Sequence, residues 1–304
     1  MSTPYHRVDG DSGRVGVMFV RVVGGLGNQL FQVAAALWLR RRRGGPVALD
    51  TSWYDQARGA ATPRTLELVP DPAMPTMCSM WTGCDGVPAV VGGPELGEPH
   101  WVEELSGDVG VLDRVTAETS VVAGYFQQSR VALEVLDELR PWFVRRRASV
   151  GASSTGGPYV SVHVRLGDYL ADRSTRLHHG LTDPVQQLEL GLRVADGLGV
   201  SAVRVFTDSP STFGDLVGDA LIDDETRFEQ SGASGSWETL FEMAAGSAVV
   251  MSNSSLSWWA AFVATQVDGR SAPVWMPTPW FAAPSVAEQV RAVRGWSLYE
   301  RRQR

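Results

Sequence analysis

In the segment Val160-Ser161-Val162-His163-Val164-Arg165-Leu166-Gly167-Asp168-Tyr169, an apolar run ends abruptly in groups that can bind and polarise a ligand. Arg165 offers a planar fork of donors suited to phosphate. Gly167 lets backbone approach closely, and Asp168 can hold the guanidinium or a ligand hydroxyl. An ordinary Arg/Asp ion pair closing a strand uses the same residues, so this segment alone leaves both readings open. Two further segments carry comparable chemistry. Gly24-Gly25-Leu26-Gly27-Asn28-Gln29 sets glycines and amides where a strand meets a helix, and Ser252-Asn253-Ser254-Ser255-Leu256-Ser257 sets hydroxyls ahead of another helix. The free N–H groups of a first helical turn attract anions, and short polar side chains either cap those groups or join them in gripping a phosphate. Capping needs only one such side chain, and this block has several.

The glycine segment also fits part of a dinucleotide fingerprint. Gly25-x-Gly27 is present, and Asp50 lies 23 residues beyond Gly27, about where a carboxylate meets a ribose. The third glycine position is Leu30, and Asn28-Gln29 adds amides that a pyrophosphate turn does not require. An NAD-dependent oxidoreductase therefore stays as an alternative.

The elements that must position these groups follow from periodicity. Val15 to Val23 reads as a strand, Gly24 to Gly27 as a tight loop, and Asn28 to about Arg42 as a helix stopped by Gly44-Gly45. Arg40 to Arg43 suit that helix's negative end better than an anion patch. Val47 to Asp50 is the next strand. Residues 54–120, rich in Pro and Gly, read as an irregular insertion anchored by Cys78, Trp81 and Trp101. A strand from Val121 leads through Gly124-Tyr125-Phe126-Gln127-Gln128 to a helix over Ser129 to Trp142. A linker follows at 151–158. Beyond it come the His163 strand, a helix over Pro184 to Leu198, and a strand Val203 to Phe206 ending at Thr207-Asp208. A helix over Trp237 to Ala245, a strand Ala248 to Met251 and a helix from near Leu256 complete the pattern, with Trp258 and Trp259 as core. Alternation in both halves predicts an α/β fold of two doubly wound domains facing a cleft. The expected division is a polar tail over 1–14, a domain over 15–150 and a domain over 151–304. His178-His179 fits a solvated loop better than a ligand contact.

All 27 basic residues are arginine, so any phosphate must be held by arginine, hydroxyls, backbone amides or a metal. The absence of lysine beside abundant Ala, Gly, Val and Arg fits a GC-rich bacterial coding sequence. A net charge of −7 argues against a general nucleic-acid binder. Cys78 and Cys84 have neither zinc nor redox spacing, Asp9-x-Asp11 falls in the tail, and no convergent Asp/His set marks a metal site. There is no signal-like start and no run of 18 apolar residues, so a soluble cytoplasmic protein without a membrane span is expected.

Taken in order, the blocks resemble a known family. Gly-Gly-Leu-Gly-Asn-Gln, Gly124-Tyr125-Phe126-Gln127, His163-x-Arg165-x-Gly167-Asp168-Tyr169, Phe206-Thr207-Asp208, Asn253-Ser254-Ser255-x-Ser257-Trp258-Trp259-Ala260-Ala261 and Pro277-x-Pro279-Trp280 are similar to the bacterial α-1,2-fucosyltransferases of glycosyltransferase family 11. The resemblance implies a GT-B-like pair of Rossmann-type domains, GDP-fucose as donor, inversion at the anomeric centre and no cofactor or bound metal. It assigns Arg165 to the β-phosphate, His163 and Asp208 to guanosine, and Ser254 and Ser255 to phosphate. It lines the cleft from the other domain with Gly25, Gly27, Asn28 and Gln29. Arg165, Asp168 and Asn28 are thus the expected catalytic positions, with the general base unassigned: Asp168 can orient Arg165 instead, and Asn28 deprotonates an alcohol poorly.

The chain departs from the family pattern at several positions. Leu166 stands where a second arginine is usual, Ser209 replaces the second of two acidic residues, and Thr182-Asp183-Pro184-Val185 replaces a tyrosine-rich helix start. Thr239, Gly246 and Ala248 stand where Asp, Cys and His are typical. The expected partners are a GDP-sugar and a small-molecule or glycan acceptor, in a chain compatible with a homo-oligomer. The alternatives are a GDP-sugar transferase of specialised metabolism acting on a small hydroxyl or thiol acceptor, a non-catalytic sugar-nucleotide binder, and the NAD enzyme.

Overall fold

Apolar runs too short to span a layer as helices become strands here, and the glycines and capping residues between them set where each helix starts and stops. The computed structural model describes residues 17–56, 64–68, 101–103, 110–151, 157–218, 228–233, 235–282 and 291–302. The chain divides into two compact units, residues 1–142 and 143–304. Asp9, Asp11, Cys78, Trp81, Cys84, the 1–14 tail and most of the 151–158 linker lie outside the described residues.

In the first unit, β1 (Met18–Arg21), β2 (Val47–Asp50), β3 (Trp101–Glu103) and β4 (Val121–Ala123) form a parallel sheet in the order β2-β1-β4-β3. The helix α1 (Leu26–Arg43) is buried from Leu26 to Leu39 except at Asn28. Gly44, left-handed at φ 66°, stops it by donating its N–H to the Arg40 carbonyl. Arg41 pairs with Asp137 and Glu138 and Arg42 with Glu134, so the end of the arginine run is spent on structural ion pairs. Three expectations are corrected. The helix begins at Leu26, which puts Gly27, Asn28 and Gln29 on its first turn. The region read as irregular contains the edge strand β3, whose three residues are too few for a periodic signal. The single helix expected from Ser129 breaks at Val135 into α2 (Ser129–Glu134) and α3 (Leu136–Ser149).

The division between units falls inside α3, upstream of the boundary read from the linker, because the end of this helix packs with later segments of the chain. Phe143 contacts the rings of Trp237, Phe241 and Trp259, and Arg147 bonds both oxygens of Asp268 at 3.0 and 2.8 Å.

Among the described residues, the second unit has six parallel strands: β5 (Tyr159–Val164), β6 (Ala202–Thr207), β7 (Phe228–Gln230), β8 (Ala248–Val250), β9 (Val274–Thr278) and β10 (Ser297–Glu300). Their order is β10-β9-β8-β5-β6-β7. This is the 3-2-1-4-5-6 order of a doubly wound sheet, with the winding direction reversing between β5 and β8. Every residue of β5 is buried, as a central parallel strand requires. Val160, Val162 and Val164 each contribute about 1.5–3 kcal/mol of apolar burial. The helices are α4 (Gly167–Ala171), α5 (Arg173–His179), α6 (Pro184–Leu198), α7 (Pro210–Val217), α8 (Ser236–Ala245) and α9 (Ser255–Phe262). On α6, Asp183 caps the start and Gly199 the end, and a Cβ on Gly191 would come within 2.5 Å of Val162, so this glycine lets the helix lie close on β5. Trp258 and Trp259 are fully buried core. Among the described residues, no helix is long and apolar enough to cross a membrane.

Candidate active site

Because the described strands of the second unit run parallel, their carboxyl ends share one edge, and the reversal between β5 and β8 marks the place on it where open α/β sheets take ligands. Arg165 leaves β5 at this edge. Its Nη2 lies 2.7 Å from Asp168 Oδ1 and its Nη1 2.7 Å from Asp208 Oδ2. Burial works against the guanidinium's charge, but Asp208 and Asp168 outweigh it and raise its pKa. Asp208, arriving from the end of β6, turns its other oxygen to the Leu166 and Gly167 amides at 2.9 and 3.1 Å. A Cβ on Gly167 would come within 2.4 Å of that carboxylate, so glycine is needed here for close approach. Leu166 is fully buried in the core.

Across the reversal, His163 Nδ1 and Ser252 Oγ stand 2.7 Å apart, joining the ends of β5 and β8. His163 is 4% exposed, and burial pushes its pKa down to about 4 against the opposing pull of Asp208, so the ring is neutral near pH 7. Gln187 reaches from α6 to donate to the carbonyls of His163 and Met251. The Asn-Ser-Ser block is divided in use. Asn253 donates its amide to the His179, Trp280 and Gly180 carbonyls and accepts from Thr182. Ser254 caps α9 by accepting from the Leu256 amide, and Ser257 ties the turn through the Ser252 and Ser254 carbonyls. Ser254 and Ser255 are half-buried at the helix N-terminus.

Tyr169 donates its hydroxyl to the Asn253 carbonyl, and its ring stacks on His179 at 4.9 Å and 13°. Arg165 lies 5.8 Å from the same ring. His178 and His179 end α5 against Phe281, which replaces the expected solvated loop with an aromatic cluster. Sequence reading gave no role to Gln187 or Tyr169 individually and left Ser252 within the hydroxyl block. The side-chain hydrogen bonds of these three reach His163, Met251 and Asn253, at least 24 positions away in sequence.

The first unit's loop is organised differently. Gly24, at φ 82°, is the glycine its geometry requires: a Cβ there would meet Asn28 Nδ2 at 2.9 Å. Gly25 is the N-cap of α1 and offers no side-chain cap of its own, and Gly27 is buried within the first turn. Asn28 Oδ1 accepts from Gln127 at 3.0 Å. Gln29 is fully buried: it donates to the Gly24 and Thr65 carbonyls and accepts from the Glu67 amide, fastening the 64–68 segment to the loop. Phe126, left-handed at φ 50°, sets the turn that carries Gln127. Asp50 is buried, with its oxygens on the Ser52 amide and Arg21, and Leu30 fills the third glycine position. A ribose contact by Asp50 therefore has internal competitors, and the NAD reading loses its support. Among the described residues, no three His, Cys, Asp or Glu side chains converge as a metal site.

No curated protein matches the chain significantly. Among solved structures, fucosyltransferase NodZ from Bradyrhizobium is similar at 15% identity, covering 81% of this chain and 93% of its own, with TM-score 0.44. NodZ alpha-1,6-fucosyltransferase soaked with GDP-fucose is 14% identical over 81% of this chain and 92% of its own, with TM-score 0.41. POFUT1 in complex with GDP-fucose is 12% identical over 84% and 96%, with TM-score 0.38. The family model for Glycosyl transferase family 11 matches residues 112–297, a span that holds the whole β5–β8 edge with Arg165 and Asp208, and the chain belongs to that family, as a fucosyltransferase-like glycosyltransferase.

Proposed function

We propose that the chain transfers a sugar, by default L-fucose, from a GDP-sugar to a hydroxyl acceptor, with inversion at the anomeric carbon and without a bound metal. The observation that carries this is Arg165, fixed between two carboxylates at the carboxyl-end edge of the sheet in a family 11 glycosyltransferase. As the sugar departs it becomes oxocarbenium-like and negative charge builds on the β-phosphate, where Arg165 and the α9 N-terminus supply electrostatic stabilisation. Ser254 and Ser255 stand beside that phosphate, and neutral His163 serves the nucleoside. Asp168 and Asp208 are positioning residues for Arg165. Asp208 already spends both oxygens on the arginine and the loop amides, so a guanine contact must share them. The second unit holds the donor and the first is the acceptor side, where Gly25 and Asn28 line the loop and Gln29 fastens it. Asn28 can orient an acceptor hydroxyl, and the base remains unassigned.

Another GDP-activated sugar, passed to a small hydroxyl or thiol acceptor, would use the same nucleotide site. Burial of Leu166 favours that reading, because it leaves a single guanidinium at the motif. A thiol ionises more readily than an alcohol and needs less help from a base. Calorimetry with GDP, GDP-fucose, UDP and NAD, followed by GDP release from GDP-fucose and from GDP-mannose with and without EDTA, tests these statements. We expect GDP and GDP-fucose to bind, UDP and NAD not to, and EDTA to leave GDP release unchanged. Binding of NAD alone would overturn the proposal, and activity lost to EDTA and restored by manganese would overturn its metal-free form.

A further inference from the structure

Arg301 follows β10 directly, so it leaves the sheet at the same edge as Arg165. Its side chain is almost wholly enclosed, at 4% exposure. Its Nη2 donates to the His179 carbonyl at 2.7 Å, and its backbone N–H to the Thr278 carbonyl. Nε and Nη1 are buried without an acceptor, and no carboxylate among the described residues pairs with it. The packing there is close: a Cβ on Gly180 would come within 2.9 Å of Nη2 and 3.1 Å of Nη1. Burial works against the charge. A buried cation without a counter-ion costs stability, and a trapped water satisfies its N–H groups but not its charge.

Arg301 holds the His179 carbonyl, the His179 ring stacks on Tyr169 at 4.9 Å, and Arg165 lies 5.8 Å from the Tyr169 ring, so the two guanidiniums flank one aromatic pair. Asp168 and Asp208 already draw on the charge of Arg165, whereas no carboxylate among the described residues draws on that of Arg301. We infer that the counter-ion of Arg301 is the ligand: it supplies a second positive charge, through the field and not by contact, to a diphosphate held at Arg165. The inference rests on the donor-site reading above and adds a charge remote from the motif to it. Arg301 is thus a positioning and electrostatic residue.

Two full-length variants separate charge from hydrogen bonding. Arg301→Gln keeps a donor for the His179 carbonyl but removes the charge, and Arg301→Lys keeps the charge. Calorimetry with GDP, with melting measured alongside, should show about tenfold weaker binding for the Gln variant, the order of magnitude of one lost unit charge acting across a partly desolvated site. The Lys variant should stay within threefold of the parent. A folded Gln variant within threefold of the parent, or a Lys variant as weak as the Gln variant, overturns the inference. If the Gln variant does not fold, the Lys variant decides: binding within threefold supports the charge role, and a greater loss refutes it. Failure of the parent protein to bind GDP would instead refute the donor-site reading.

Discussion

A guanidinium held by one carboxylate can swing about that bond, whereas one held by two has its direction set. Arg165 is of the second kind, with Asp168 on one nitrogen and Asp208 on the other. Lysine cannot reach both carboxylates with a planar fork, so Arg165→Lys should lower GDP-sugar turnover by about 10²-fold, the usual cost of losing one preorganised electrostatic donor. Its melting temperature should change little, since the charge is kept. GDP release assayed beside thermal melting checks this, and undiminished turnover would remove Arg165 from the mechanism. The sequence made Arg165, Gly167 and Asp168 legible because their chemistry is local. Ser252 was not, because its partner His163 lies 89 positions away and only the folded sheet brings the two together. Gln29 was legible at the start of a helix but not as a buried fastener, since its three partners lie in two separate stretches of chain.

Between elements, one asparagine joins several segments. Asn253 follows β8 and ties that turn to the end of α5, to Thr182 and to Trp280 beyond β9. Asn253→Ala would leave the Trp280 and Gly180 carbonyls buried without this donor, while His179 would retain Arg301. We expect a loss of about 2–4 kcal/mol from the desolvated groups left behind, read as a lower urea midpoint with an unchanged slope. A loss below about 0.5 kcal/mol would show that the turn holds without it. Most strands and long helices were readable because their apolar periods and stops agree, as in α6 between Asp183 and Gly199. The short strand β3 and the break at Val135 were not. β3 is set by its pairing with β4, which leaves no periodic trace in three residues, and no local sequence period marks the break at Val135.

For the whole molecule, the buried histidines make stability depend on acidity. His163 titrates near 4 in the folded chain and near 6.5 when unfolded, so the unfolded state takes up a proton that the folded state resists. The stability this provides is complete above about pH 6.5, falls as pH drops towards 4, and is fully lost below that. Its size is on the order of 3 kcal/mol. His179, also lowered to about 4 by burial, acts in the same direction. Melting followed from pH 7 to 4 should show a steep fall that His163→Asn makes shallower. A flat profile in the parent, or an equal slope in the variant, would contradict the buried neutral ring. The alternation of strands and helices made the α/β class legible, whereas the packing of the end of α3 with later segments depends on contacts that no local pattern records.

The sheet order also governs how the protein reaches its native state. β5 pairs with β8 through Val160 and Ala248, and among the described residues no hairpin bridges that interval. The long crossover must close before the pairing returns any energy, so folding of this unit belongs with the slower class of two-state or staged folders. Because that pairing makes the edge on which the proposed donor site depends, a chain that has collapsed without joining β5 to β8 should lack that site. Recovery of GDP binding during refolding should therefore follow the slowest sheet-forming step and not the early gain of helix.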